Sequence, residues 1–234
     1  MIKLVVDDLF ERIKCSSVRK EPFPHLVVDD FLPQNFYKQL ARQLDSDDFS
    51  SRYQKGLYGG ENRYCVDLTD FVAWQNSGCR LSTAIHEKNY KSLLSMREQW
   101  LQLFVKILLK NEKKFCSVLC SKLREENFRG DYFFHISMAK DRHGFVVEPH
   151  TDSSDNVFTV LFYAPETDCN RQFGLTVYNW NREFCHKIPF LPNRLIVFVP
   201  TNQTWHGVDL LTNDLKGTRN SIQMFFLKNS LTTN

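Results

Sequence analysis

The sequence predicts a mainly β fold, a sandwich or barrel of antiparallel strands with helices buttressing one outer face. Three observations carry this. Residues 33 to 127 have a mainly helical pattern, whereas from residue 131 onward short strand-like segments alternate with turn chemistry. Strands that follow a block of helices cannot form simple alternating βαβ units, which leaves antiparallel architectures. Two of the segments, NVFTVLFY (156–163) and RLIVFVP (194–200), are apolar on both faces, as strands covered on two sides should be.

Taken in order, PFPHLVVDDFLPQNFYKQL (22–40) reads as an edge strand leading into a first helix. Phe36, Leu40 and Leu44 fall at steps of four, and Asn35 is a candidate N-cap. The segment GLYGGENRYCVDLTDF (56–71) reads as a long loop. Its Gly56, Gly59 and Gly60 sit among Tyr58, Arg63 and Tyr64, so it suits a mobile substrate lid as well as an ordinary surface loop. A second helix is predicted over 91–110, where Leu93, Met96, Trp100, Leu103, Phe104 and Ile107 form one stripe. Phe115, Val118, Leu119 and Leu123 mark a third helix, and both stripes suit packing against the chain's own sheet. Strands are then predicted at 131–138, 144–147, 156–163, 174–180, 186–190, 194–200, 206–210 and 220–227. Turns are predicted from Asp141 to Gly144, Pro165 to Asn170, Leu191 to Asn193 and Asn213 to Gly217. With no repeat or long linker, residues 1–234 read as one domain, a helical support region over about 22–127 and a β core over about 131–228.

The totals exclude several function classes. A net charge of +3 over 234 residues offers no electrostatic case for nucleic acid or an anionic membrane surface. The seven cysteines form no CxxC pair, which argues for reduced thiols in a cytoplasmic setting and against a thiolate zinc site. The N-terminal apolar run is broken by Asp7 and Asp8, unlike a signal peptide, and no apolar stretch reaches membrane-spanning length.

The chemistry gathers at EPHTD (148–152). Residues i and i+2 of an extended chain point to one face, so His150 and Asp152 converge. His206, at the start of another strand, supplies a third ligand. Two imidazoles and a carboxylate cap one face of an octahedral ion and leave the opposite positions open, the arrangement of a non-haem Fe(II) oxygenase. Those positions would take a co-substrate and dioxygen. His25, His86, His135, His143 and His186 have no carboxylate at i+2, and His186 beside Cys185 reads as part of an ordinary strand. Downstream, Arg219 and Ser221 share a strand face. An arginine directed into a barrel needs an anion, and its fork matches a carboxylate, with the serine hydroxyl as a further donor.

In this combination PHTD, a strand, WHGV (205–208) and RNSI (219–222) resemble the Fe(II)/2-oxoglutarate-dependent dioxygenases, in particular the prolyl-hydroxylase-like branch. Fifty-three residues lie between Asp152 and His206, and Arg219 follows His206 by 13, spacings similar to that superfamily's. The resemblance implies a double-stranded β-helix (jelly-roll or cupin-like) core with N-terminal helices packed on one sheet. It implies Fe(II) on His150, Asp152 and His206, and O2 and 2-oxoglutarate as co-substrates. Arg219 would take the distal carboxylate of 2-oxoglutarate, assisted by Ser221. Tyr163 stands where related hydroxylases place a tyrosine reaching that carboxylate, and it also fits a core aromatic.

One departure is that SMAKD (137–141) lacks the tyrosine often found on the strand before the H-x-D pair. Met138 and Lys140 stand nearby instead. Asp152 favours hydroxylation over halogenation, because related halogenases carry a small residue there. Nucleic-acid demethylases of the superfamily carry a second arginine six residues after the first, where this chain has Phe225. The implied reaction is hydroxylation of an unactivated C–H bond of a small-molecule or peptidyl substrate, of prolyl, peptidyl or amino-acid type, with release of succinate and CO2. Segment 165–173 would border the mouth of the site. The rival reading is a non-catalytic, cupin-like β-sandwich module that binds a metal or ligand, which leaves the pair Arg219 and Ser221 unexplained.

Overall fold

The computed structural model describes residues 2–46, 54–56, 60–69, 99–123 and 130–229. Among these residues four helices, α1 (Ile2–Cys15), α2 (Gln34–Ser46), α3 (Gln99–Lys110) and α4 (Glu112–Leu123), lie on one face of a large sheet. The strands are β1 (Val18–Arg19), β2 (His25–Val28), β3 (Gln54–Gly56), β4 (Gly60–Asp67), β5 (Tyr132–Asp141), β6 (Val147–His150), β7 (Asn156–Tyr163), β8 (Leu175–Tyr178), β9 (Phe184–Ile188), β10 (Arg194–Phe198), β11 (His206–Val208) and β12 (Arg219–Lys228). The large antiparallel sheet has the order β1-β2-β10-β7-β12-β5-β4-β3, and a smaller one the order β6-β11-β8-β9. Consecutive β-core segments alternate between the two sheets in part, so the sheets face each other.

Period-two alternation divides the interior. On β12, Ile222, Met224 and Phe226 face the helices, as do Phe134, Ile136 and Met138 on β5 and Val160 and Phe162 on β7. They share one apolar cluster with Leu9 and Ile13 of α1, Leu40 and Leu44 of α2, Phe104 and Leu108 of α3 and Phe115 of α4. The intervening residues point between the sheets. There Leu161, Tyr163, Val177, Phe190 and Phe198 form a second cluster, and Phe145, Phe173, Val208 and Leu211 a third. The helical stripes therefore bury against the chain's own sheet, as their pattern predicts.

Several predicted boundaries shift. The helical layer begins with α1, whose Val6, Leu9, Phe10 and Ile13 occupy one buried face. In α2, Tyr37 N–H donates to the Pro33 carbonyl, so Asn35 lies in the first turn rather than at the cap. Strand β2 leads into α2 as expected but lies between β1 and β10 rather than at the edge. Of the segment 144–147, Gly144 closes a turn and 145–146 are irregular, and β6 starts at Val147. Residues 60–67, read as part of a loop or lid, form β4 in register with β5, so the span 22–127 contributes strands as well as helices. The remainder of that loop at 57–59 and 70–71, the N-terminal part of the second helix with Leu93 and Met96, and His86 lie outside the described residues. Among the described residues no helix is long and apolar enough to cross a membrane.

Candidate active site

Strand β6 ends at His150, and Asp152 follows two residues later on the same face. Strand β11 pairs antiparallel with β6 so that His206 lies directly opposite His150, their ring centroids 4.4 Å apart. The close pairing depends on Gly207, since a Cβ there would lie 2.6 Å from the Val147 carbonyl oxygen. His150, Asp152 and His206 each aim one donor atom at a common point, all within 4.8 Å of one another, the only such group of three among the described residues.

The atoms around this cluster suit a cation. His150 Nδ1 lies 3.0 Å from the Glu148 carbonyl and His206 Nδ1 2.9 Å from that of Thr204, so each ring donates from Nδ1 and keeps the Nε2 lone pair for a metal. The Nε2 atoms stand 3.6 and 3.8 Å from Asp152 Oδ1, beyond hydrogen-bonding distance. Asp152 Oδ2 accepts a 2.5 Å bond from the Thr159 hydroxyl on β7, which fixes the carboxylate's rotation. Burial pushes the Asp152 carboxyl up, but His150, His206 and Thr159 outweigh it and hold it below the usual carboxylate range. Burial lowers His206, whereas the Asp152 carboxylate raises the half-exposed His150. A divalent ion requires an ionised carboxylate and neutral imidazoles: the shifts of Asp152 and His206 favour those states, and at His150 the ion takes the place of the proton that Asp152 favours.

The cluster opens on a cavity of about 320 Å³ between the sheets, whose wall along β12 runs through Arg219, Ser221, Gln223, Phe225 and Leu227. Arg219 is 2% exposed. Its Nε donates to the Phe173 carbonyl (2.8 Å), Nη1 to Asp141 Oδ2 (2.7 Å) and Nη2 to the Tyr163 hydroxyl oxygen (3.3 Å). Tyr163 is fully buried, and burial raises its phenol against the pull of Arg219, so it keeps a proton to donate. Ser221 lies opposite Tyr163 on the neighbouring strand, and its buried hydroxyl has no hydrogen-bond partner. Arg219, Ser221 and Tyr163 thus converge on one wall of the cavity, with polar hydrogens left for an anion.

Other residues had no clear signal in the sequence. Asp141, predicted to open a turn, is instead the last residue of β5 and is completely buried. Met138 faces the helices, so neither it nor Lys140 takes the place next to Arg219; Asp141 does, directly across from it. Arg63 of β4 grips Asp141 from the other side through Nε to Oδ1 (2.7 Å) and Nη2 to Oδ2 (3.0 Å). Thr159 gave no signal within an apolar strand. His135, read as a plain strand histidine, lines the cavity with its Nε2 3.4 Å from Asp67 Oδ1. Segment 165–173 does not line the cavity and meets the site through the Phe173 carbonyl bonded to Arg219.

No protein-family model and no curated protein matches the sequence. Solved structures do match the architecture. A prolyl hydroxylase from Trichoplax adhaerens, in complex with a peptide fragment of the hypoxia inducible factor oxygen degradation domain, aligns over 100% of this chain and 94% of its own, with a TM-score of 0.59 and 13% identity. A prolyl-4-hydroxylase from Pseudomonas putida aligns over 97% and 99% of the two chains (TM-score 0.51, 16% identity). A prolyl 4-hydroxylase structure from Phytophthora capsici covers 99% of this chain and 66% of its own (TM-score 0.56, 12% identity). With its two facing antiparallel sheets and its layer of helices, the chain has the fold of these hydroxylases, a double-stranded β-helix.

Proposed function

We propose that the protein is an Fe(II)- and 2-oxoglutarate-dependent oxygenase that hydroxylates an unactivated C–H bond. The observation that carries this reading is one cavity lined both by the His150–Asp152–His206 cluster and by the buried group Arg219, Ser221 and Tyr163. A structural metal site would need no anion pocket beside it. An arginine buried for stability alone would leave the partnerless Ser221 hydroxyl unexplained.

In this reading His150, Asp152 and His206 hold iron, and Arg219, Ser221 and Tyr163 hold the distal carboxylate of 2-oxoglutarate. Iron and 2-oxoglutarate held there would, with O2, supply an oxidation strong enough for an unactivated C–H bond, with succinate and CO2 as co-products. The chain's own residues orient and enclose. Thr159 sets the carboxylate rotamer of Asp152, and the Glu148 and Thr204 carbonyls set the imidazole tautomers. Leu161, Leu175 and Val208 make part of the wall apolar, which limits water around the reacting groups.

The fold shared with prolyl hydroxylases, one of them bound to a peptide, supports a substrate of prolyl, peptidyl or amino-acid type. Phe225 and His135, with rings 5.8 Å apart and stacked, offer a flat wall for such a group. No disulfide joins the described cysteines, which supports work in the reducing cytoplasm. We read residues 1–234 as one such oxygenase domain. The test is succinate formation from 2-oxoglutarate by the Fe(II)-loaded protein, alone and with proline-containing peptides or free amino acids. Uncoupled turnover that His206→Ala abolishes is expected. A protein that forms no succinate under any of these conditions is not this enzyme.

A further inference from the structure

Three neighbouring strands each direct one charged side chain to the same place. Arg63 on β4 is directly opposite Asp141 on β5, which is directly opposite Arg219 on β12. All three are buried, with side-chain exposures of 7%, 0% and 2%. Both arginines line the cavity, and the Asp141 carboxylate lies between their guanidiniums, bonded to each. Charged side chains are seldom buried this completely without partners, so the triad is a unit rather than three separate residues.

The hydrogen-bond count shows how the unit is divided. Arg63 takes both Asp141 oxygens in a forked grip, and its guanidinium carbon sits 4.3 Å from the centre of the Phe145 ring, which holds the fork in place. Arg219 touches Asp141 through a single N–H. With three of its five N–H groups used on Asp141, Phe173 and Tyr163, two remain for a ligand. A carboxylate arriving at Arg219 therefore meets a guanidinium that already has a resident anion. How much of the Arg219 charge reaches the ligand depends on how much of the Asp141 charge is taken up by Arg63.

We propose that Asp141 and Arg63 together set the affinity and charge selectivity of the anion site at Arg219. Asp141 acts as a built-in competitor for the arginine, and Arg63 is the positioning residue that holds this competitor in check. The proposal rests on the reading that the tail carboxylate of a 2-oxo acid binds at Arg219. It makes substitutions at two buried, mutually paired residues act in opposite directions. Loss of Arg63 turns Asp141 wholly onto Arg219 and weakens the site. Neutralising Asp141 leaves both guanidiniums facing the cavity and strengthens it. If the triad served stability alone, both changes would weaken binding.

Calorimetric titration of the Mn(II)-loaded protein, with no turnover, reads this directly. Two ligands are compared: 2-oxoglutarate, and 2-oxopentanoate, which ends in a methyl where 2-oxoglutarate ends in a carboxylate. Arg63→Gln is expected to weaken 2-oxoglutarate about tenfold and Asp141→Asn to tighten it about tenfold, a change of one close charge in a buried site. Binding of 2-oxopentanoate and of Mn(II) should not change. Arg63→Lys, which keeps the charge, should recover most of the loss and decides the matter alone if Asp141→Asn does not fold. Variants that both weaken 2-oxoglutarate, an Arg63→Lys no better than Arg63→Gln, or equal shifts for both ligands would overturn the proposal. A wild-type protein that binds the two ligands equally would instead overturn the placement of the tail at Arg219, and this proposal with it.

Discussion

Thr159 has no chemistry of its own in the site, yet its hydroxyl decides which Asp152 oxygen is offered to a cation. With Oδ2 occupied, Oδ1 faces both imidazoles. Groups of this kind behind a ligand are worth roughly 10- to 100-fold in metal affinity. Thr159→Val keeps the shape and deletes the bond, so Mn(II) or Fe(II) affinity should fall by about that range with thermal stability little changed, as read by metal titration and a melting curve. Unchanged affinity would mean that Asp152 needs no support. His25 shows the opposite case of a buried group with a plain structural cost. It is 1% exposed, its Nε2 has no partner, and burial with nearby His186 and Arg19 lowers its pKa. Below about pH 6.5 the unfolded chain takes up a proton that the folded His25 refuses, so stability is full above that pH and falls beneath it. The lowered carboxyls Asp152 and Asp209 add a second loss below about pH 4. Urea midpoints of the metal-free protein should therefore drop between pH 7.5 and 5.5, and less so in His25→Gln.

At the scale of elements, the site depends on how tightly β11 lies against β6. Glycine at 207 is required by close approach to the Val147 carbonyl. Gly207→Ala should push β11 outward, displace His206 and weaken metal binding at least tenfold, an effect of geometry rather than of a lost ligand; a metal titration beside a near-native circular dichroism spectrum checks it. Legibility in the sequence also varied by element. The strands 156–163 and 194–200 were readable because both faces are apolar and buried. That His150 and Asp152 converge, and that Arg219 and Ser221 share a face, was readable because spacing of two on an extended chain leaves little choice of face. Strand β4 was not, because Asn62, Arg63 and Tyr64 among glycines resemble a polar loop; its inward Arg63 is paired with Asp141 on the next strand. Asp141 was hidden for the same reason, since an aspartate before Arg-His-Gly has the composition of a turn. Pairing between distant charges leaves no local pattern to read.

For the whole molecule, the helices contribute rigidity rather than chemistry. Phe162 on β7 contacts Phe31, Tyr37 and Phe104, tying the central strand to α2, to α3 and to the loop before α2. Its neighbours Leu161 and Tyr163 face the cavity on the same strand. Phe162→Ala should cost roughly 3–5 kcal/mol by urea denaturation, with 2-oxo acid binding weakened in the fraction that stays folded. The resulting picture is of a cavity between two sheets, with Arg219, Ser221 and Tyr163 on the helix-backed sheet and the His150, Asp152 and His206 cluster from the smaller one.

That picture is tested most directly by anaerobic titration of the Fe(II)-loaded protein with 2-oxoglutarate, followed by visible absorption. A saturable metal-to-ligand band is predicted, absent in His206→Ala and shifted to higher 2-oxoglutarate concentration in Arg219→Gln. Iron that binds with no such band, or a band whose midpoint ignores Arg219, would contradict a shared site for the two groups.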